Sequence, residues 1–402
     1  VDVHGSGSNL VDLDGARLSE PVAPRRGRTD TRAATDELHL ARALLIARRG
    51  VGLASPNPMV GAVVVDRDGA AVAEGWHRGA GAPHAEADAL RTAGERARGG
   101  TLYVSLEPCS HQGRTPPCVE AVIASGVARV VAPIQDPNPL VHGEGFARLR
   151  AAGVAVEVGL LADEAATLIE AFAKAVTTGT PFVTLKLAMS LDGKVAARDG
   201  TSRWITGEAA RADVHRLRSE HDAVMVGAGT AVADDPALTV RLDDYRGRQP
   251  VRIVVDGAGR TPASGRIFDG SAPLWMLTSA ASSTDARGAW AEAGARVVVA
   301  AGGPAVGLTR ALADLGSEGT PLRSVLIEGG PTLAWSAVRE GVVDRVVIYI
   351  APKLVGGVAA PSALGGEGIA SIADAIALRI DSVAALGEDL RIVGRPRSAG
   401  SA

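Results

Sequence analysis

Aromatic residues are scarce in this chain: Phe, Trp and Tyr make up 3% of its 402 residues. Its cores must therefore be built from Ala, Val, Leu and Ile, within a composition of 46% hydrophobic and 22% charged residues that is ordinary for a globular protein. Cysteine is scarcer still, with only Cys109 and Cys118. Two thiols cannot form the disulfide framework of a secreted domain, and thiols kept free or metal-bound fit a reducing, cytoplasmic setting. Long apolar runs are also missing. None reaches the roughly 18 residues of a transmembrane helix, so no membrane partner is expected. No stretch near the start joins a basic end, an apolar run and a small-residue cleavage site, so no secretory signal is expected. A basic surplus is lacking as well: the net charge is −3, which argues against a nucleic-acid partner.

What is present is an alternation of helical and strand patterns. Residues 1–34 show no apolar periodicity and read as a disordered leader. Thr35 suits an N-cap, with Asp36 and Glu37 in the first turn of a helix that ends at Gly50. A turn, a buried strand over 60–65, an Asp-Gly hairpin turn and a second strand follow. The residues HAEADALRTAG read as a helix, TLYVSLEPC as a strand, PPCVEAVIASG as a helix and ARVVAPIQDPNP as a strand and turn. The spacing predicts one helix over 163–179 and a domain boundary at Thr178–Pro181, giving a first domain over 35–180. The alternation then restarts and runs from 181 to 397. Two α/β domains with largely parallel sheets are expected.

Both cysteines lie in EPCSHQGRTPPC (107–118), downstream of PHAEADAL (83–90). His84, Cys109 and Cys118 form a ligand set for zinc with a fourth position open to water. The first turns of the helices at 84–90 and 116–124 face the ion, and helix N-termini favour thiolates. Glu86 can carry the proton from water to a ring nitrogen and on to a departing amine. A His-x-Glu alone says almost nothing, and a lone cysteine pair is usually packing. The ordered set resembles the H-x-E…P-C-x-x-C signature of zinc deaminases, with eight residues between the cysteines instead of two. A purely structural zinc would need a fourth protein ligand, from His77 or His111. A deaminase acting on RNA would want a basic domain, yet acidic residues outnumber basic ones over 36–180.

The wording of PNPMVGAVVV, HAEADAL, LEPCSHQGRTPPC and ARVVAPIQDPNP resembles the deaminase half of a bifunctional riboflavin-biosynthesis family. This is the diaminohydroxyphosphoribosylaminopyrimidine deaminase / 5-amino-6-(5-phosphoribosylamino)uracil reductase family. The resemblance spans about 36–395. It implies a cytidine-deaminase-like α/β/α sandwich, zinc on His84, Cys109 and Cys118, and Glu86 as proton shuttle. Asn57, His77, Asp136 and Asn138 would border the pyrimidine, although Asn57 and Asn138 each precede a proline and also suit turns. His111 and Arg114 would be near the substrate phosphate. The leader exceeds the family pattern.

In the second half, TLKLAMSLDGK, TSRWIT, AVMVGAGTAVADDPALTVR and LIEGGPTLA resemble the reductase half of the same family, whose fold is similar to dihydrofolate reductase. A G-x-G-x-x-G turn is missing, so the ordinary Rossmann fingerprint plays no part. The Gly-Gly-Pro turn between a strand and a helix offers N–H groups to phosphates. The resemblance implies NADPH on Ala188, Trp204, Thr230, Asp234, Gly257, Gly330, Pro331, Thr332, Leu333, Ala334, Trp335 and Ser336. It places a phosphoribosyl pyrimidine on Lys186, Ser202, Arg218, Leu238, Arg241 and Glu328, with Asp192 near the reaction centre. The implied chemistry is hydrolytic removal of the pyrimidine's C2 amine, then reduction of the ribosyl chain to ribityl. A homo-oligomer is compatible with all of this.

Overall fold

The computed structural model describes residues 31–112, 116–300, 305–317 and 321–397. The first unit comprises α1 (Thr31–Ala47), β1 (Gly61–Val65), β2 (Ala71–Trp76), α2 (Ala85–Ala93), β3 (Thr101–Val104) and α3 (Cys118–Ser125), followed by β4 (Arg129–Ala132), α4 (Glu144–Ala151), β5 (Ala155–Val158), α5 (Ala162–Leu168) and α6 (Glu170–Thr178). Its five strands lie in the order β2-β1-β3-β4-β5. β3, β4 and β5 run parallel, whereas β1 is antiparallel to β3 and also to β2, onto which the turn at Asp66–Gly69 folds the chain straight back. The sheet is therefore mixed rather than largely parallel.

Every residue of β1 is buried, which requires cover on both faces. Val63 and Val65 pack with Leu40, Ala43 and Ile46 of α1. Ala62 and Val64 pack with Ala85 and Ala89 of α2. Gly75 lets α2 approach closely, since a Cβ there would sit 2.2 Å from the Ala85 carbonyl oxygen. That approach brings the start of α2, with His84 and Glu86, against the sheet.

The helix α1 begins at Thr31, a turn before the expected cap at Thr35, and Arg32 reaches Glu157 at 2.8 Å. The rest of the expected leader, 1–30, lies outside the described residues. The single helix expected over 163–179 is two, because Ile169 (φ −110°, ψ 13°) leaves the helical region to bury its side chain.

The second unit comprises β6 (Phe182–Ser190), α7 (Glu208–Ser219), β7 (Ala223–Gly227), α8 (Ala228–Asp234), β8 (Val251–Val255), β9 (Leu274–Thr278) and α9 (Thr284–Glu292), then β10 (Arg296–Val299), α10 (Leu308–Ser317), β11 (Ser324–Ile327), α11 (Pro331–Arg339), β12 (Arg345–Ala351), β13 (Leu378–Leu386) and β14 (Asp389–Pro396). Among the described residues nine strands order as β10-β9-β8-β7-β11-β6-β12-β14-β13. All pair in parallel except β14, which is antiparallel to both neighbours. Apolar clusters cover the two faces, one around Val183, Met225 and Val325, the other around Val224, Met276 and Leu326. Alternate residues of β7 and β11 thus feed opposite cores, as a two-residue side-chain period dictates. Among the described residues no helix is long and apolar enough to cross a membrane.

Candidate metal centre and reductase cleft

The first site lies where α2 and α3 begin beside the end of β3. His84 precedes the first turn of α2, Cys118 opens α3, and Cys109 sits on the loop after β3. Their donor atoms all fall within 4.8 Å of one another, the one such cluster among the described residues. His84 Nδ1 is 3.1 Å from Cys118 Sγ and 3.5 Å from Cys109 Sγ. The Cys118 N–H donates to Cys109 Sγ at 3.3 Å. Hydrogen bonding from the Cys118 thiol lowers Cys109 and favours its thiolate form, while the same shared proton pushes Cys118 up. One imidazole and two soft sulfurs this close fit zinc. Neither candidate fourth ligand joins the cluster. His77 is engaged elsewhere: its Nδ1–H faces the Pro83 carbonyl at 3.3 Å, and its Nε2 accepts from Asn57 Nδ2 at 3.0 Å. His111 stands outside the cluster, its buried Nδ1 without a hydrogen-bond partner among the described residues.

A cavity of about 290 Å³ opens beside the donors, lined by Asn57, His77, His84, Glu86, Cys109, Asp136 and Asn138, among others. Glu86 is buried, and burial raises its carboxyl to about 7, with the Cys109 thiolate adding to the shift. A group poised there can take and return a proton at neutral pH. Burial also lifts Asp136 to about 6. Arg114 lies outside the described residues, while His111 lines the cavity.

Sequence reasoning missed Glu107. It is buried, and its carboxylate accepts the N–H groups of Asp136 (2.9 Å), Gly143 (3.0 Å) and Phe146 (3.1 Å), folding the 136–146 loop over the cavity. The only signal is a glutamate immediately before Pro-Cys. Phe172 of α6 also lines this cavity, and nothing in its local pattern distinguishes it from core.

The second site is a cleft of about 830 Å³ at the C-terminal ends of β6, β7, β8 and β11, where open α/β sheets place their ligands. Lys186, Ser202, Arg218, Arg241 and Glu328 line it, as do Ala188, Trp204, Thr230, Asp234, Gly257, Gly330, Pro331, Thr332, Leu333 and Ser336. Three expected residues do not line it. Leu238 is buried in the core cluster of the β7–β9 face. Ala334 points from α11 into the opposite core. Trp335 packs where Gly366 comes close, so close that a Cβ there would meet its indole at 2.4 Å. The amide of Ala334 is already spent on the Gly330 carbonyl at 2.9 Å. Pro331 has no N–H, so Thr332 and Leu333 carry the first-turn amides that can face an anion. Asp192 also stands apart: its carboxylate accepts from Ser190 Oγ (2.5 Å) and the Gly356 N–H (2.6 Å), tying two loops together.

Cations gather at one end of the cleft. Arg218 and Glu328 form a two-pronged ion pair, and Arg218 Nη1 donates to the Thr239 carbonyl at 2.9 Å. Burial and the two arginines hold His215 down at about 4, so it is neutral. His215 was not anticipated, although its i, i+3 spacing to Arg218 places both on one helix face. Burial lowers Lys186, partly offset by Glu328. Arg241 is the exposed cation of the group.

The two sheets and their sites define a two-headed enzyme, a zinc-deaminase fold joined to a reductase fold. Residues 33–133 match the family of the cytidine and deoxycytidylate deaminase zinc-binding region, and residues 181–392 match the RibD C-terminal domain. The chain is 44% identical over 372 residues to the riboflavin biosynthesis protein RibD of Escherichia coli K12, covering 89% of this chain and 99% of that protein. It superposes on Acinetobacter baumannii RibD with a TM-score of 0.82 at 38% identity, covering 91% of this chain and all (100%) of that one. A Thermotoga maritima protein described as a diaminohydroxyphosphoribosylaminopyrimidine deaminase/5-amino-6-(5-phosphoribosylamino)uracil reductase gives 0.81 at 34% identity, again over 91% of this chain. The chain belongs to the RibD family of riboflavin biosynthesis proteins. It is a bifunctional enzyme, a deaminase and a reductase in one polypeptide.

Proposed function

We propose that the first site deaminates 2,5-diamino-6-(5-phosphoribosylamino)pyrimidin-4-one and that the second reduces the ribosyl chain of the product with NADPH, giving 5-amino-6-(5-phosphoribitylamino)uracil. The observation that carries the first half is the convergence of His84, Cys109 and Cys118 beside a buried Glu86 in a cavity of about 290 Å³. Zinc, held by those three residues, supplies the Lewis acid that makes water nucleophilic near neutral pH. Glu86 takes one water proton to the ring nitrogen and then carries the second, from the added hydroxyl, to the leaving amine, so that water consumed balances ammonia released and the ring keeps its N–H. Asn57, His77, Asp136 and Asn138 orient the pyrimidine.

In the second site Lys186, Ser202, Arg241 and the Arg218–Glu328 pair hold the phosphoribosyl substrate. Thr332 and Leu333 offer their amides, and Thr230 and Ser336 their hydroxyls, to the phosphates of the cofactor. Ala188, Trp204, Asp234 and Gly257 complete its bed. NADPH supplies the reducing equivalent, and the protein's share is to align the sugar carbon with it. The functional division falls at 180/181, with the deaminase over 35–180 and the reductase over 181–397, and the free thiols suit a cytoplasmic enzyme. The test is to supply the diaminopyrimidine ribosyl phosphate and follow ammonia release alone, then NADPH oxidation. Ammonia without NADPH, and NADPH consumption only after deamination, is the expected result. NADPH consumption with no ammonia would overturn the order of steps, and neither signal would overturn the substrate.

A further inference from the structure

The wall of the deaminase cavity is held from outside its own unit. Pro56, Asn57 and Pro58, on the loop between α1 and β1, line that cavity. The same loop is gripped by the second unit. The Arg248 N–H donates to the Gly52 carbonyl at 2.9 Å, and Arg248 Nη2 to the Ser55 carbonyl at 2.5 Å. Ser55 Oγ donates to Asp222 Oδ2 at 2.9 Å, and Arg323 Nε to the Pro56 carbonyl at 3.3 Å. Asp222 Oδ2 also accepts the Arg323 N–H at 2.7 Å, which joins the contacts into one network. Gly52 has φ +69°, and a Cβ there would lie 2.3 Å from Tyr245 Oη, so the loop and the second unit fit without spare room.

Asp222, Arg248 and Arg323 stand just before β7, β8 and β11, at the N-terminal ends of those strands, whereas the reductase cleft lies at the C-terminal ends. The clamp is therefore remote from reduction. It is close to deamination, because Asn57 bonds His77 and the His77 ring meets the His84 ring edge-on, with centroids 5.1 Å apart.

We infer that Asp222, Arg248 and Arg323 are positioning residues for the deaminase: the reductase unit fixes the substrate-facing wall of the other unit's pocket. This rests on the assignment of that pocket to deamination. An untethered wall would let Asn57 wander, and with it the bond that orients the His77 ring, while the metal donors, held by α2, α3 and the loop after β3, stay in place. Substrate binding should then suffer more than the chemical step.

The test uses the full chain with Arg248→Ala and Arg323→Ala, singly and combined, and Asp222→Asn, which keeps an acceptor for Ser55. Deamination KM and kcat are measured, with reduction of supplied deaminated intermediate and zinc content as controls. The combined variant is expected to raise the deamination KM about tenfold with kcat within about twofold, reduction and zinc unchanged, and Asp222→Asn close to the parent. An unchanged deamination KM in the combined variant overturns the inference, as does reduction falling in step with deamination. A parent enzyme that does not deaminate overturns the pocket assignment as well, so the two failures are told apart.

Discussion

Arg218 and Glu328 satisfy each other at the floor of the reductase cleft, with Nη2 2.9 Å from Oε2, and so neither offers a full free charge to a ligand. Burial alone would raise Glu328, but Arg218, with Lys186 beside it, turns the balance and lowers it. Removing one partner strands the other. Arg218→Ala should cost about 3 kcal/mol of stability or more, read by urea unfolding. Arg241, exposed and lining the same end, should behave differently. Arg241→Ala is expected to leave stability within about 0.5 kcal/mol and raise the reduction KM about tenfold.

The metal centre and the cleft belong to separate sheets, so their losses should separate. Chelation of zinc, or Cys118→Ser, is expected to abolish deamination while reduction of supplied intermediate continues at the parent rate. Atomic absorption should find about one zinc per parent chain. Loss of both activities on chelation would contradict independent sites.

Asp136 gives a pH signature. Burial holds its folded pKa at about 6 against an ordinary value of 3.8. A raised carboxyl contributes stability that is fully present below the ordinary value and is lost as pH rises through about 6. Relative to Asp136→Asn, the parent should therefore lose stability across that window, measurable by unfolding at pH 4 to 7. As an acceptor for the pyrimidine, Asp136 should also make the deamination KM fall as pH rises through about 6. Identical pH profiles in parent and variant would contradict both.

Much of the fold and of both sites is legible in the order of residues along the chain. The stretch PHAEADAL with EPCSHQGRTPPC carries the metal centre because its residue types and order are themselves the chemistry. The buried run of β1 and most strands of the second sheet declare themselves by continuous apolar character. What stays hidden depends on distant partners. Glu107 is a loop anchor only because three amides from residues 136–146 converge on it. The hairpin of β13 and β14 escapes a reading by pattern because β13 is mostly exposed and lacks a buried face to set an alternation. Leu238 and Ala334 sit within motifs that line the cleft, yet their side chains turn into the cores, a choice made by packing rather than by the motif.

The central claim is that one chain performs two separable reactions, with Glu86 serving only the first. Mass spectrometry of the diaminopyrimidine ribosyl phosphate incubated with Glu86→Gln tests it most directly. The account predicts that exchange of the amino group for oxygen falls by a factor of about 10² or more. It also predicts that supplied deaminated intermediate still gains two hydrogens from NADPH at the parent rate. Deamination at the parent rate by Glu86→Gln would contradict it.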